Sequence, residues 1–391
     1  MRHSVSLHAG YNCPAMKLFE CQNCRQPLYF ELACCPSCGH ELGYLPARNA
    51  MTTLRAKDGG LVALADPKAR YRYCANAAHN VCNWLLPSDH GEQFCAACRH
   101  NRTIPDLSQP LNLPRWRKIE VAKHRLFYTL LKLNLPLATR SEDAEGLAFD
   151  FIADQEQGLQ SVMTGHASGL ITINLAEADD PERERQRFEM REAYRTLLGH
   201  FRHEIAHYYW GRLVAPSPYL TEFRNIFGDE QQDYAAALER HYAGGPPADW
   251  HEHFVSAYAS SHPWEDFAET WAHYFHMIDT LETAGAFGLS LGPKVAKAAE
   301  LAAKIDFDPH RAELDRVIDA WLPLTFAVNS INRSMGLPDL YPFALPPPVI
   351  VKLAFVHRLI ATRGRQRASD KGTIRAIVAS IRRAVGSPAG A

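Results

Sequence analysis

Apolar residues recur at helical spacing near the middle of the chain: Tyr194, Leu197, Leu198, Phe201, Ile205 and Tyr208 step by three or four positions, the period of one buried helix face. This predicts a long helix from about Glu182 to Arg212, beginning after the break at Asp180-Pro181. A second helical period covers Trp116 to Leu133. A third helix is expected from His262-Pro263, where proline suits the first turn and Glu265 and Asp266 favour the positive helix end. A shorter helix is expected near Asp233 to Tyr242, stopped by Gly244-Gly245-Pro246-Pro247. The stretch after Trp210, including Phe227-Gly228-Asp229-Glu230, reads as polar and irregular. Strand-like runs at Leu147 to Ile152 and Gly169 to Leu175 precede the central helix, and the second alternates well.

The first hundred residues follow another logic. All ten cysteines lie before residue 99. Cys21-x2-Cys24 and Cys35-x2-Cys38 have the spacing of a zinc ribbon, in which two tight turns each give two thiolates to a tetrahedral site; Leu28, Tyr29 and Phe30 between them supply its small sheet. Rubredoxin-type iron also uses two such pairs and stays an alternative here. Cys74, Cys82, Cys95 and Cys98 form a second set, read as a second structural zinc site. The bland reading of Cys74 and Cys82 is as small core residues. Cys13 and Cys34 receive no role. Pro105, Pro110 and Pro114 among polar residues mark a connection to the next unit.

Composition narrows the class. With 391 residues, 47% hydrophobic and 22% charged, the chain is long enough for a sizeable core and reads as globular. A formal net charge of −1 gives no global attraction to nucleic acid or anionic membrane. No apolar run approaches bilayer length, and Met1 to Cys13 has no apolar core of a secretory signal. Paired cysteines in such a chain point to metal in a reducing, cytoplasmic compartment.

The central helix carries the chemistry. His203-Glu204-Ile205-Ala206-His207 is an HExxH segment. At about 100° per residue the two imidazoles stand about 40° apart, with Glu204 beside them. Two histidine ligands on one turn and a glutamate to take a proton from water are what a hydrolytic zinc site uses. Glu265 and Glu269, four apart, share a face of the later helix. Glu265 is expected as third ligand and Glu269 as outer-shell acceptor for a ligand histidine; Glu269 as ligand is the rival, and Asp266 lies on a different face. His273 and His276 read as packing or outer-shell residues. Asn332 to Ser334 and Tyr341 to Phe343 are candidate cleft walls.

These segments resemble the gluzincin metallopeptidases, in which HExxH is completed by a glutamate on a following helix. Glu265-Asp266-Phe267-Ala268-Glu269 resembles the third-ligand helix of the anthrax lethal factor type, where a tyrosine seven residues earlier stabilises the reacting oxyanion. Tyr258 holds that offset, against the alternative of an ordinary packed tyrosine. Over residues 16 to 360 the chain is similar to a bacterial zinc-binding metallopeptidase family with an N-terminal zinc ribbon. The stretches that carry this are MKLFECQNC, CNWLLP, CAACRHNRTIPDL, GHFRHEIAHYYW, FGDEQQDYAAAL, SAYASSHPWEDFAETWAHYFH and NRSMGLPDLYPF.

The resemblance implies an α+β chain: a cysteine-rich zinc-ribbon module, then a mostly helical zincin-like metallopeptidase domain with a small sheet. The divisions expected are an extension at 1–15, the ribbon at 16–46, a second cysteine-rich segment and linker at 47–110, the peptidase domain at 111–360 and a basic, partly disordered tail at 361–391. The implied activity is zinc metalloendopeptidase-like: hydrolysis of peptide or protein substrates by a metal-activated water with Glu204 as general base. One catalytic and one or two structural zinc ions (Zn2+) are expected. A different reading makes the ribbon a nucleic-acid- or protein-binding module on a scaffold body, with the tail, nine Lys or Arg and one Asp from Lys352 onward, as a further contact. A DNA-linked protease of the SprT type fits less well, since it completes HExxH with histidine and carries its metal module afterwards.

Overall fold

The computed structural model describes residues 18–57, 59–89, 91–153, 164–189, 195–295 and 299–362. The extension at 1–15 and the basic tail beyond 362 lie outside them. The architecture is α+β. A two-stranded hairpin, β1 (Phe19–Glu20) with β2 (Pro27–Leu28), carries the first cysteine pair. A five-stranded antiparallel meander follows: β3 (Leu42–Leu45), β4 (Ala50–Lys57), β5 (Gly60–Ala63), β6 (Asp66–Tyr73) and β7 (Leu85–Pro87), in sequence order. The second cysteine set sits at its end, with Cys74 directly after β6 and Cys82 before β7.

Three residues beyond Cys98 the chain enters another sheet. Strand β8 (Asn101–Thr103) runs parallel to β9 (Ala148–Ile152), which is parallel to β11 (Leu170–Asn174); β10 (Gly165–Ala167) pairs antiparallel with β11 and forms the outer edge. Helix α1 (Asn112–Lys132) covers this sheet and is buried over most of its surface, including Glu120, Lys123 and His124. One contiguous apolar core runs from Cys21 to Ile360, so the cysteine-rich part and the helical part share it. Phe30 and Tyr128 of α1 meet edge to face with ring centroids 5.7 Å apart at that junction.

The expected helix over 182–212 is interrupted. Helix α2 spans Asp180–Glu189, and α3 is Leu197–Tyr209, preceded by Thr196 in extended conformation (φ −137°, ψ 154°). The Thr196 side chain accepts from the Gly199 backbone N–H, a helix-starting cap that the uninterrupted apolar spacing concealed; Tyr194 lies outside the described residues. The stretch after Trp210 is also more ordered than expected. A π-helical turn covers Trp210–Val214, and α4 (Tyr219–Phe227) buries Phe223 and Phe227, one turn apart. Helices α5 (Tyr234–Gly244) and α6 (Trp250–His253) lead to α7 (Pro263–Ala286), which is buried on nearly every face. Helix α8 (Leu314–Ser334) and a last helix over 347–362 pack around it. Among the described residues no helix is long and apolar enough to cross a membrane.

Candidate metal centre

Helix α3 presents two faces. Phe201, Ile205, Tyr208 and Tyr209 are buried, and Tyr209 stacks on Trp271 of α7 at a centroid distance of 5.2 Å. His203, Glu204 and His207 lie half-buried on the neighbouring face. Opposite them, α7 begins at His262, whose Nδ1 accepts from the Trp264 backbone N–H, and its first turn brings in Glu265, 1% exposed.

His203 Nε2 lies 2.9 Å from Glu265 Oε2 and 3.2 Å from His207 Nε2, and Glu265 Oε1 is 3.6 Å from His207 Nε2. Ligands on tetrahedral zinc with bonds of about 2.0–2.1 Å stand about 3.3 Å apart, so the donor set has the spacing of an ion's coordination shell. The tautomer sharpens this. His203 Nδ1 is 2.8 Å from Glu269 Oε1, a contact that takes the ring proton and leaves a lone pair on Nε2. That lone pair faces the buried carboxylate oxygen of Glu265 and the ring nitrogen of His207. A cation placed between them would satisfy all three donor atoms at once.

Burial alone lowers a histidine, but Glu265 and Glu269 outweigh it and hold His203 well above its usual range, so the two carboxylates favour a positive charge at this point, which a bound cation supplies in place of a second ring proton. Burial raises a carboxyl, yet His207 and His203 hold Glu265 well below its ordinary value. Glu269 is likewise brought down to about 2 despite burial, by His203, His273 and Ser256; Ser256 Oγ donates to its Oε2 at 2.6 Å. Asp266 turns away, 2.7 Å from Lys352 Nζ.

Tyr258 sits in a short helical turn with its ring 5.9 Å from the His203 ring. Burial and the Glu265 charge raise its phenol well above the ordinary value. His200 is not drawn into the centre; its Nδ1 lies 3.1 Å from Glu177 Oε2. His273 is buried with Nδ1 2.6 Å from the Tyr341 hydroxyl, and His276 Nδ1 accepts from Arg202 at 2.6 Å. Tyr341 and Phe343 therefore back α7 behind Glu269, and Arg333 pairs with Asp339.

Two residues at the centre receive no role from the sequence, although Tyr234 lies in the stretch FGDEQQDYAAAL. Tyr234, the first residue of α5, donates to Glu265 Oε1 at 2.8 Å. His166 of the edge strand β10 stacks beside His207 at 6.2 Å, and burial followed by the His207 charge lowers it to about 4.

The cysteines form two further clusters, the donor atoms of each lying within 4.8 Å of one another: Cys21, Cys24, Cys35, Cys38 and Cys74, Cys82, Cys95, Cys98. Sulfur pairs stand 3.7 Å (Cys21–Cys38), 3.6 Å (Cys24–Cys35) and 3.8 Å (Cys82–Cys95) apart. Zn–S bonds of about 2.3 Å place tetrahedral sulfurs about 3.8 Å apart. Backbone N–H groups of Trp84, Cys95 and Cys98 point at Cys82, Cys74 and Cys95 sulfurs, each at 3.4 Å, as suits thiolates. Cys34 is exposed and outside both clusters; Cys13 lies outside the described residues. The second cluster abuts α1, where His124 Nε2 is 3.3 Å from Cys82 Sγ and its Nδ1 is 2.7 Å from the Glu120 carbonyl.

A last group, Asp279, Glu282 and His310, also gathers donor atoms. Arg202 pairs with Asp279 and Lys132 with Glu282, so the carboxylates are already neutralised, and the cluster reads as an ion network tying α3, α1 and α7.

Residues 112–359 match the family model described as "Putative zinc-binding metallo-peptidase", and residues 18–109 match a zinc-ribbon domain. Uncharacterized proteins of Mycobacterium bovis and Mycobacterium tuberculosis are each 44% identical over 347 residues, covering 88% of this chain and 95% of theirs. No solved structure matches.

Proposed function

The chain belongs to this zinc-binding metallo-peptidase family, and from that premise we propose that it hydrolyses peptide bonds at the centre formed by His203, His207 and Glu265, with Glu204 as general base. The convergence of donor atoms from His203, His207 and Glu265, all within 4.8 Å of one another, is the observation that carries the reading. Three donors from the chain would hold a zinc ion while leaving it able to take up water, as in a catalytic rather than a structural site. Zinc held there supplies Lewis-acid polarisation and makes water acidic near neutral pH.

The protein's own groups do the rest. Glu269 and Ser256 fix the His203 ring. Glu204 takes the proton of the attacking water on a carboxylate oxygen and returns it to the departing amine. Tyr258, against His203, is placed to donate toward the carbonyl oxygen as it becomes negative. The gluzincin type and endopeptidase action are proposed on the following-helix glutamate and the half-buried face of α3 that carries Glu204.

The two four-cysteine clusters are proposed as structural zinc sites, since four thiolates leave no open position. The divisions proposed are the ribbon at 16–46, a second metal-binding segment at 47–110 and the peptidase body at 111–360. Thiols arranged for metal suit a reducing compartment such as the cytoplasm, and the ribbon is a candidate contact for a protein or nucleic-acid partner. Zinc analysis of the full chain and of His203→Ala, beside cleavage of a mixed peptide library, tests the central claim. Equal zinc in both, or no cleavage by zinc-replete wild type, would sink it.

A further inference from the structure

A second phenol reaches the centre from a part of the chain that the HExxH and third-ligand helices do not include. Asp233 starts α5 with its side chain accepting from the Ala236 backbone N–H at 3.0 Å, which sets the direction in which Tyr234 leaves the helix. The Tyr234 ring packs on His262, at 5.2 Å and 82°, and on Trp264, at 6.0 Å. Its hydroxyl donates to Glu265 Oε1 at 2.8 Å, the oxygen that also faces His207 Nε2 at 3.6 Å. The phenol oxygen is thus one hydrogen bond from a donor atom of the centre. Yet the residue as a whole is 37% exposed, so Tyr234 spans from solvent to the buried carboxylate its hydroxyl meets. Tyr258 flanks the same space from the His203 side.

Resting on the reading that His203, His207 and Glu265 hold zinc, we propose that Tyr234 is a substrate-facing hydrogen-bond donor of this site, forming with Tyr258 a two-phenol pocket for the carbonyl oxygen of the scissile peptide. At rest its hydroxyl is held on Glu265. When substrate enters, the O–H turns to the carbonyl oxygen and its hydrogen bond strengthens as that oxygen gains negative charge. No covalent bond is made to the tyrosine and its proton stays on it. A group used this way contributes more to kcat than to KM, because its interaction is strongest in the transition state.

The competing role is mere positioning of Glu265, and the two separate in Tyr234→Phe, made in the full chain with Tyr258→Phe for comparison. Zinc affinity is measured by chelator competition, and binding of acetohydroxamate, a small anion that presents oxygens at a zinc centre, by titration. The expected result is zinc affinity within about threefold of wild type, acetohydroxamate weakened about ten- to a hundredfold, in line with a lost hydrogen bond to a charged group, and kcat on the mixed peptide library reduced about 10²–10³-fold. Unchanged acetohydroxamate affinity overturns the proposal. So does a loss of zinc affinity that accounts for the whole effect, which assigns Tyr234 to positioning. A wild type whose zinc content is insensitive to His203→Ala instead overturns the underlying site reading, and the proposal with it.

Discussion

His203 Nδ1 and Glu269 Oε1 are 2.8 Å apart, and this contact decides which nitrogen of the ring is free. With the ring proton engaged by Glu269, Nε2 is the only lone pair His203 can offer. Glu269 thereby acts on the centre through the histidine. In Glu269→Ala the ring loses its anchor, and zinc affinity is expected to fall about 10–100-fold without being abolished. Chelator competition measures this, and an unchanged affinity would show that the tautomer is fixed by something else.

Glu204 is not among the converging donors, so its amide should spare the metal. Glu204→Gln is expected to keep wild-type zinc content while hydrolysis drops by about 10²–10⁴-fold, the range of a lost general base. Near-normal turnover in this variant would remove Glu204 from the mechanism.

On the proposed assignment, Glu265→Ala removes a ligand rather than a base. One zinc per chain should be lost, while the zinc held by the cysteine clusters stays. Metal analysis reads the result directly, and undiminished stoichiometry would displace Glu265.

The local periodicities of the sequence made part of this legible. His203 and His207 are ligand-spaced within one helix, and Glu265 and Glu269 within another, so their shared faces follow from 3.6 residues per turn. The cysteine pairs announce tight turns in the same way. Tyr234 lies in the stretch FGDEQQDYAAAL, but no spacing assigns it to the centre: it stands 31 residues from Glu265, and only the path of α4 and α5 brings it back. His124, 26 residues from Cys98, looks like one more position on an amphipathic helix until α1 is laid against the second cysteine cluster. The break at Thr196 was hidden because apolar spacing continued across it, whereas a capping threonine acts through one hydrogen bond.

The second cysteine cluster packs on α1, so its effect should exceed the ribbon. Cys95→Ser is expected to lower both zinc content and the melting temperature of the whole chain, because structural zinc contributes folding energy and α1 lies in the shared core. A thermal transition of the helical body that does not move would argue that the cluster stabilises only itself.

Glu177 gives a pH signature away from the metal. Burial raises it, but His200 and Arg195 bring it from 4.5 to about 2. A carboxyl depressed in the folded state stabilises above its unfolded pKa, and that contribution is lost as pH falls from about 4.5 to about 2. By the usual conversion it amounts to about 3 kcal/mol. Urea unfolding should show Glu177→Gln destabilised by this order at pH 6, with the gap to wild type closing as the solution is acidified. A gap independent of pH would mean that Glu177 acts by packing instead of charge.

Strand β8 has a consequence for how such a chain can be taken apart. It follows Cys98 by three residues, yet it pairs with β9, and Arg102 Nε donates to Asp150 Oδ1 at 2.9 Å. Asn101 meets the buried Lys123 of α1. The cysteine-rich half is therefore not a portable cassette that could be exchanged at residue 110. A fragment cut there would leave β9 with a bare edge and Lys123 without its amide partner, and would expose apolar surface that invites self-association. A recombination joint that preserves both parts would have to carry Asn101–Thr103 with the helical body, even though Asn101 stands only three positions after Cys98.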